Sequence, residues 1–451
     1  MKVAGIIAEF NPFHNGHKYI IDYCKRYLGA DYVIVVMSGD FVQRGAPALV
    51  SKFSRARMAL ESDADLVLEL PVYYSLGSAE FFAEGAVSVL EGLGVVTDLV
   101  FGSEEGDLSK LDEIADILVK EPESYKSALQ TALSAGDSFP TARSKAIEAA
   151  MAVTFTENKD DNLLAPCSFS VNSYAGLLSS PNAILALEYL KALKRRSLPI
   201  VPHAVKRLGA AYGNAAIEAS VNGKRDIPTA SALGIRNALR SINLSGSAAI
   251  SAYELKNKSV MTEDLKTALL SSMPRSAYDE LVSYNSSFLD CDSFSMQLHH
   301  KLALEKTEGF TGYLDVNEEL SNRIIISLTE FESFEQFCQV LKTKNLTYTR
   351  ISRCLMHILL NITEENMSAY KADNYTSYGR ILGMKKEASD LLSKIHAYST
   401  IPVPGRLKDF EKELSPLQFK LFCETLTASG IYNFVSGNKI RSEYSQKPLV
   451  L

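Results

Sequence analysis

Residues 1 to about 105 alternate short apolar runs with helix-period patterns. Val3–Ala8 reads as a strand, and Lys18–Leu28 as a helix closed by Gly29. Tyr32–Met37 is a continuous, largely β-branched run, the pattern of a strand buried on both faces of a parallel sheet. A short helix over Ser54–Glu61 precedes a third strand, Asp65–Leu70, which Pro71 stops. A helix over Gly77–Leu93 and a fourth strand, Asp98–Phe101, follow. Strands separated by helices predict βαβ units, hence an α/β fold with a Rossmann-like doubly wound parallel sheet. In such sheets ligands sit beyond the carboxyl ends of the strands. The turns at those ends carry His14 and His17, then Ser38-Gly39-Asp40, then Gly102-Ser103-Glu104.

Residues 107–158 read as mostly helical, and 159–167 as a loop. A helix over Ala183–Leu193 and a short strand over Pro199–Pro202 come next, then a loop and a helix within Asp226–Arg240. From about residue 245 the pattern is mostly helical, with apolar helices over Asn322–Leu328 and Arg350–Leu360 flanking a basic turn. The expected organisation is an α/β nucleotide-binding domain over residues 1–240 and a mostly helical domain over 241–451. A chain of 451 residues is too long for one ordinary core, which agrees with at least two domains.

Hydrophobic content of 46% and charged content of 22% are those of a soluble globular protein. A net charge of −6 argues against bulk affinity for nucleic acid but allows a local basic face. The six cysteines are scattered without a Cys-x-x-Cys pair, which predicts reduced thiols and a cytoplasmic protein. A strand that begins by residue 3 leaves no room for a signal peptide, and no apolar run approaches the ~20 residues of a membrane span.

The chemistry concentrates in Ala8–His17, between the first strand and the first helix. His-x-Gly-His falls on the helix's first turn, where unpaired N–H groups and the helix dipole favour an anion. Gly16 lets a ligand approach closely, and Asn11-Pro12 fixes the turn. This context predicts a site for the phosphates of a nucleotide, with the imidazoles stabilising charge as an α-phosphorus is attacked. Taken alone, the pair is equally compatible with metal ligation or surface placement. Glu9 is the one nearby carboxylate and no cysteine joins it, so no protein-bound metal is expected.

Other stretches are open between two readings. Ser38–Gly45 suits a polar substrate or an ordinary surface loop. Lys52 and Arg55 could reach phosphates, but their spacing reads better as a solvated face. Ser231 suits a helix N-cap or, with Arg236, a clamp on the β- or γ-phosphate. Lys342, Lys344, Arg350 and Arg353 with Tyr348 suit an RNA backbone and a stacking base, or a helix–turn–helix surface packed internally.

The motif His14-Asn15-Gly16-His17 resembles that of the nucleotidyltransferase superfamily. Several stretches together resemble one member, the bacterial tRNA(Met) cytidine acetate ligase family. They are Gly5–His17, Ser38–Ala48, Asp65–Pro71, Phe101–Glu104, Ser180–Leu185 and Lys206-Arg207. The resemblance implies activation of acetate with ATP to acetyl-adenylate, then acetylation of N4 of the wobble cytidine of elongator tRNA(Met). It implies an ATP site built from Ile7-Ala8-Glu9-Phe10-Asn11-Pro12-Phe13-His14-Asn15-Gly16-His17-Lys18-Tyr19-Ile20, with Gly102, Asn182, Arg207 and Leu208. Mg²⁺ would accompany the ATP, and Thr347–Arg353 would contact tRNA. Two positions depart from the family pattern. Tyr212-Gly213-Asn214 stands where the family often has Tyr-His-Asp, and Leu233 stands where it has a hydroxyl. Two other functions use the same residues: a nucleotidyltransferase for a small phosphorylated metabolite, and a non-catalytic RNA-binding protein.

Overall fold

The computed structural model describes residues 1–104, 108–137, 139–157, 180–206, 231–241, 262–438 and 442–451. They form two compact units, Met1–Leu99 with Leu208–Leu451, and Val100–Arg207.

The first unit begins with β1 (Val3–Ala8), α1 (Asn15–Arg26) and β2 (Tyr32–Ser38). A two-stranded hairpin follows, β3 (Phe41–Val42) and β4 (Ala46–Pro47), and then α2 (Lys52–Glu61) and β5 (Leu66–Leu70). The β-branched run of β2 is fully buried from Val33 to Met37. β2 pairs in parallel with β1, Val3 opposite Tyr32, and with β5, Ile34 opposite Leu66. Ser51 caps α2 by accepting from Ser54 N–H, and Ser78 caps α3 (Ala79–Gly92) by accepting from Phe81 N–H.

β6 (Asp98–Ser103) leads into the second unit, which is otherwise mostly helical. Its α4 (Pro181–Arg195) starts with Pro181 in the first turn, where a missing N–H costs nothing. The strand expected over Pro199–Pro202 is displaced to β7 (Val201–Lys206).

Back in the first unit come α5 (Ala232–Ser241) and α6 (Tyr348–Leu360), the latter capped by Thr347 and closed by Asn361 in the left-handed conformation. The helix expected over Asn322–Leu328 runs from Glu318 to Ser327, because Asn317 caps it. The C-terminal half is not purely helical. β8 (Ile381–Met384) pairs antiparallel with β5, Leu66 opposite Met384. After α7 (Pro416–Val435), β9 (Leu449–Val450) pairs in parallel with β8. Gly383 permits this close fit, since a Cβ there would stand 2.7 Å from Leu60 Cδ1 and 2.9 Å from Leu449 Cβ. Among the described residues, no helix is long and apolar enough to cross a membrane.

Candidate active site

The turn after β1 is built by its own aromatic residues. Phe10 and Phe13 are buried and pack edge to face with centroids 4.8 Å apart. Phe10 also meets the His17 ring edge to face at 4.8 Å. His14, itself buried, is the N-cap of α1. Its Nδ1 accepts from Gly16 N–H at 3.0 Å, while His14 N–H donates to His17 Nδ1 at 3.2 Å. The two rings stack with centroids 3.8 Å apart and planes 27° apart. This is a capping box made from two imidazoles. An Nδ1 that accepts a hydrogen bond carries no proton, so each neutral ring holds its proton on Nε2. The cap thus fixes both tautomers at a helix start, with Nε2 the protonated nitrogen of each neutral ring. Gly16 leaves room for the His14 ring in this position, since a Cβ there would come within 2.8 Å of His14 Cε1.

Arg55 holds the ends of two strands together. It is 0% exposed, so the solvated face expected for Lys52 and Arg55 is corrected. Their three-residue spacing gave no sign of partners distant in sequence. Arg55 Nη1 donates to Glu9 O at 2.7 Å and Ser38 O at 2.9 Å, Nε to Val50 O at 3.1 Å, and Nη2 to Gly39 O. Glu9 in turn accepts from Gln43 N–H at 3.0 Å through Oε1, and Asn11 Oδ1 accepts from Leu49 N–H at 2.8 Å.

Lys52 lies in a buried charge cluster. Its Nζ donates to Glu69 Oε1 at 2.8 Å, Glu443 Oε2 at 2.9 Å and Ser429 Oγ at 2.7 Å. Arg380 completes the cluster, with Nη1 2.6 Å from Glu69 Oε2 and Nη2 paired with Glu443. Burial alone would raise the Glu443 carboxyl, but Lys52 and Arg380 override it and hold the carboxyl down to about 2. Sequence reading missed Glu69, Arg380 and Glu443. The one available signal was Glu69 itself, a carboxylate inside the otherwise apolar run Leu66–Leu70.

The remaining expected residues fall in different places. Lys18 Nζ is held by Asp22 at 2.5 Å and Asp63 at 3.3 Å, and Tyr19 and Ile20 are half-buried on α1. In the second unit Asn182 Nδ2 donates to Glu104 Oε1 at 2.5 Å, two residues beyond Gly102. Arg207, Leu208 and Tyr212–Asn214 lie outside the described residues. Ser231 Oγ accepts from Gly234 N–H at 3.1 Å, the N-cap geometry. Arg236 Nη1 donates to Asn11 O at 2.5 Å, and burial lowers its guanidinium to about 10, still charged at neutral pH. Lys342 and Lys344 are exposed, whereas Tyr348, Arg350 and Arg353 are half-buried. Burial raises the Tyr348 phenol and lowers the Arg353 guanidinium. Most of α6 beyond Arg350 packs inside, so only the start of that helix and the turn before it face solvent.

Among the described residues, no group of three His, Cys, Asp or Glu side chains is placed to hold a metal ion.

The family model for HIGH Nucleotidyl Transferase matches residues 1–447. A tRNA(Met) cytidine acetate ligase of Acetivibrio thermocellus is 36% identical over the full length of both chains, and one of Clostridium perfringens is 34% identical, also over both full lengths. The apo crystal structure of Thermotoga maritima TmcAL superposes with a TM-score of 0.85 at 27% identity, covering all of both chains. A second crystal structure of that protein, bound with alpha-thio ATP, gives 0.83 at 26% identity over the same span. The histidine cap at the strand–helix turn, the parallel sheet beneath it and these full-length matches place the chain in the tRNA(Met) cytidine acetate ligase family of HIGH nucleotidyl transferases.

Proposed function

We propose that this protein activates acetate with ATP and transfers the acetyl group to N4 of the wobble cytidine of elongator tRNA(Met). The observation that carries the proposal is the capping box of His14 and His17, which turns two Nε2–H donors into a charge-stabilising pair at a helix start. An acetate oxygen attacks the α-phosphorus, the bond to the bridging oxygen breaks, and pyrophosphate leaves. The histidines stabilise the negative charge that accumulates on the phosphate oxygens. The cytidine N4 amine then attacks the acetyl carbonyl carbon, the bond to the AMP oxygen breaks, and the amine loses a proton. A mixed anhydride is reactive enough that acetyl-CoA is not needed.

The segment Ile7–Ile20 is assigned to ATP, and Gly102 and Asn182 of the second unit carry the same assignment. Mg²⁺ is best held by the triphosphate itself, where it screens charge. Residues 1–240 carry the adenylation chemistry and 241–451 the RNA contacts. That division is of labour rather than of folding, since Arg380 and Glu443 are built into the core beside Glu69.

Pyrophosphate exchange into ATP, with and without acetate, followed by acetyl transfer to purified tRNAs, tests the proposal. Acetate-dependent exchange and transfer to tRNA(Met) are expected. Exchange that ignores acetate would refute it.

A further inference from the structure

A cleft of about 60 Å³, open to solvent, lies between the β3–β4 hairpin, α5 and residues 288–291. Pro47 and Leu49 form one apolar wall, and Leu239 and Phe288 another. Arg236 and Arg240 line it as well. Two hydrogen bonds tie the cleft to the turn that carries His14: Arg236 Nη1 to Asn11 O at 2.5 Å, and Leu49 N–H to Asn11 Oδ1 at 2.8 Å. On its other side the hairpin docks on the basic helix. Ser352 Oγ donates to Gly45 O at 2.7 Å, and a Cβ on Gly45 would stand 2.3 Å from Arg353 N. The hairpin and the cleft therefore bridge α6 and the histidine turn.

We propose that this cleft receives the target cytidine, with Arg236 reading the O2 and N3 edge of the base. The proposal rests on the acetyl-transfer reading above. Apolar walls suit a base taken out of its stack. A guanidinium donates two parallel N–H bonds, and cytosine sets two acceptors, O2 and N3, side by side. Uracil carries an N–H at position 3 and would oppose donor to donor. Holding this edge also leaves the N4 amine for attack, whereas a carboxylate gripping N4 would occupy the nucleophile. Arg240 is more exposed and is held 2.6 Å from Glu335 and 3.4 Å from Asp290, a lining carboxylate that this pairing keeps turned to Arg240 rather than to N4.

The test uses Ala46→Phe, which fills the cleft from a half-buried hairpin position, Ala46→Ser, which leaves it open, and Arg236→Met. Each is assayed for acetate-dependent pyrophosphate exchange and for acetyl transfer to tRNA(Met). Anticodon stem–loops with cytidine or uridine at the target position are then used as inhibitors of transfer. Ala46→Phe should lower transfer at least about 50-fold more than exchange, while Ala46→Ser retains transfer. The wild type should bind the cytidine stem–loop about tenfold better than the uridine one, and Arg236→Met should erase that difference. Exchange and transfer falling together would assign the cleft to ATP and overturn the proposal. So would a cytidine preference that survives in Arg236→Met, or none in the wild type. Acetate-independent exchange in the wild type would instead refute the ligase reading, so the two failures are separable.

Discussion

His14 packs over Gly16 so closely that a methyl group on residue 16 would lie 2.8 Å from His14 Cε1. The clash is with the edge of a ring that can rotate away, not with backbone. Gly16→Ala should therefore be tolerated by the fold, and helix propensity could even add up to ~1 kcal/mol. The displaced ring loses its aim, and exchange should fall about 100-fold or more. Thermal melting beside exchange kinetics checks both halves, and a fully active Gly16→Ala would sink the assigned ring geometry.

His14→Asn separates capping from chemistry. Asparagine is a good N-cap, so stability should change by less than about 1 kcal/mol. It has no Nε2–H, and exchange should drop about 100- to 1000-fold. Denaturant midpoints measured with exchange rates decide it; near-normal exchange would mean that His14 only caps.

Arg55→Lys keeps a charge but cannot reach the carbonyls of Glu9, Ser38, Gly39 and Val50 together. With carbonyls left bare, it should cost about 2–4 kcal/mol in chemical denaturation. A loss near zero would return Arg55 to the solvated face that its spacing suggested.

Glu443 offers a pH signature. Its folded pKa, about 2, lies below the unfolded value near 4.5, so its contribution is complete above that value. It fades as pH falls from there toward 2. The wild type should exceed Glu443→Gln by about 3 kcal/mol at neutral pH, with the gap closing across that window. Burial raises Glu69 in the same cluster and the Glu443 charge adds to that rise, so Glu443→Gln also relieves Glu69. A gap independent of pH would contradict the ionised pair.

Lys342→Ala, Lys344→Ala and Arg350→Ala combined should weaken tRNA binding and flatten its salt dependence by a log–log slope of about 2. Fluorescence titration at several salt concentrations reads the slope. An unchanged slope would remove these residues from the RNA face.

The sheet and the strand–turn–helix setting of the two histidines were legible because their causes are local. β-branched runs make buried strands, and a helix start is read from neighbours within a turn; the capping box itself, with His14 ahead of the helix rather than on its first turn, was not read. The range Val3–Ala8 expected for the first strand is the range observed. Lys52 and Arg55 were misread because burial depends on partners that no window contains: Glu443 is 391 positions from Lys52. β8 escaped for the same reason. Four residues including a glycine carry no strand pattern of their own, and they become a strand only against β5.

The pairing of Lys52 with Glu443 has a consequence for biosynthesis. During translation the nucleotide-binding half emerges early, with only Glu69 and Asp40 to face Lys52. Its sheet still lacks β8, and its interior still lacks Arg380 and Glu443. Maturation of the site therefore waits for the closing segment of the chain to leave the ribosome. A prematurely terminated product would lack both the counter-charges and the edge of the sheet, leaving it to the cell's proteases.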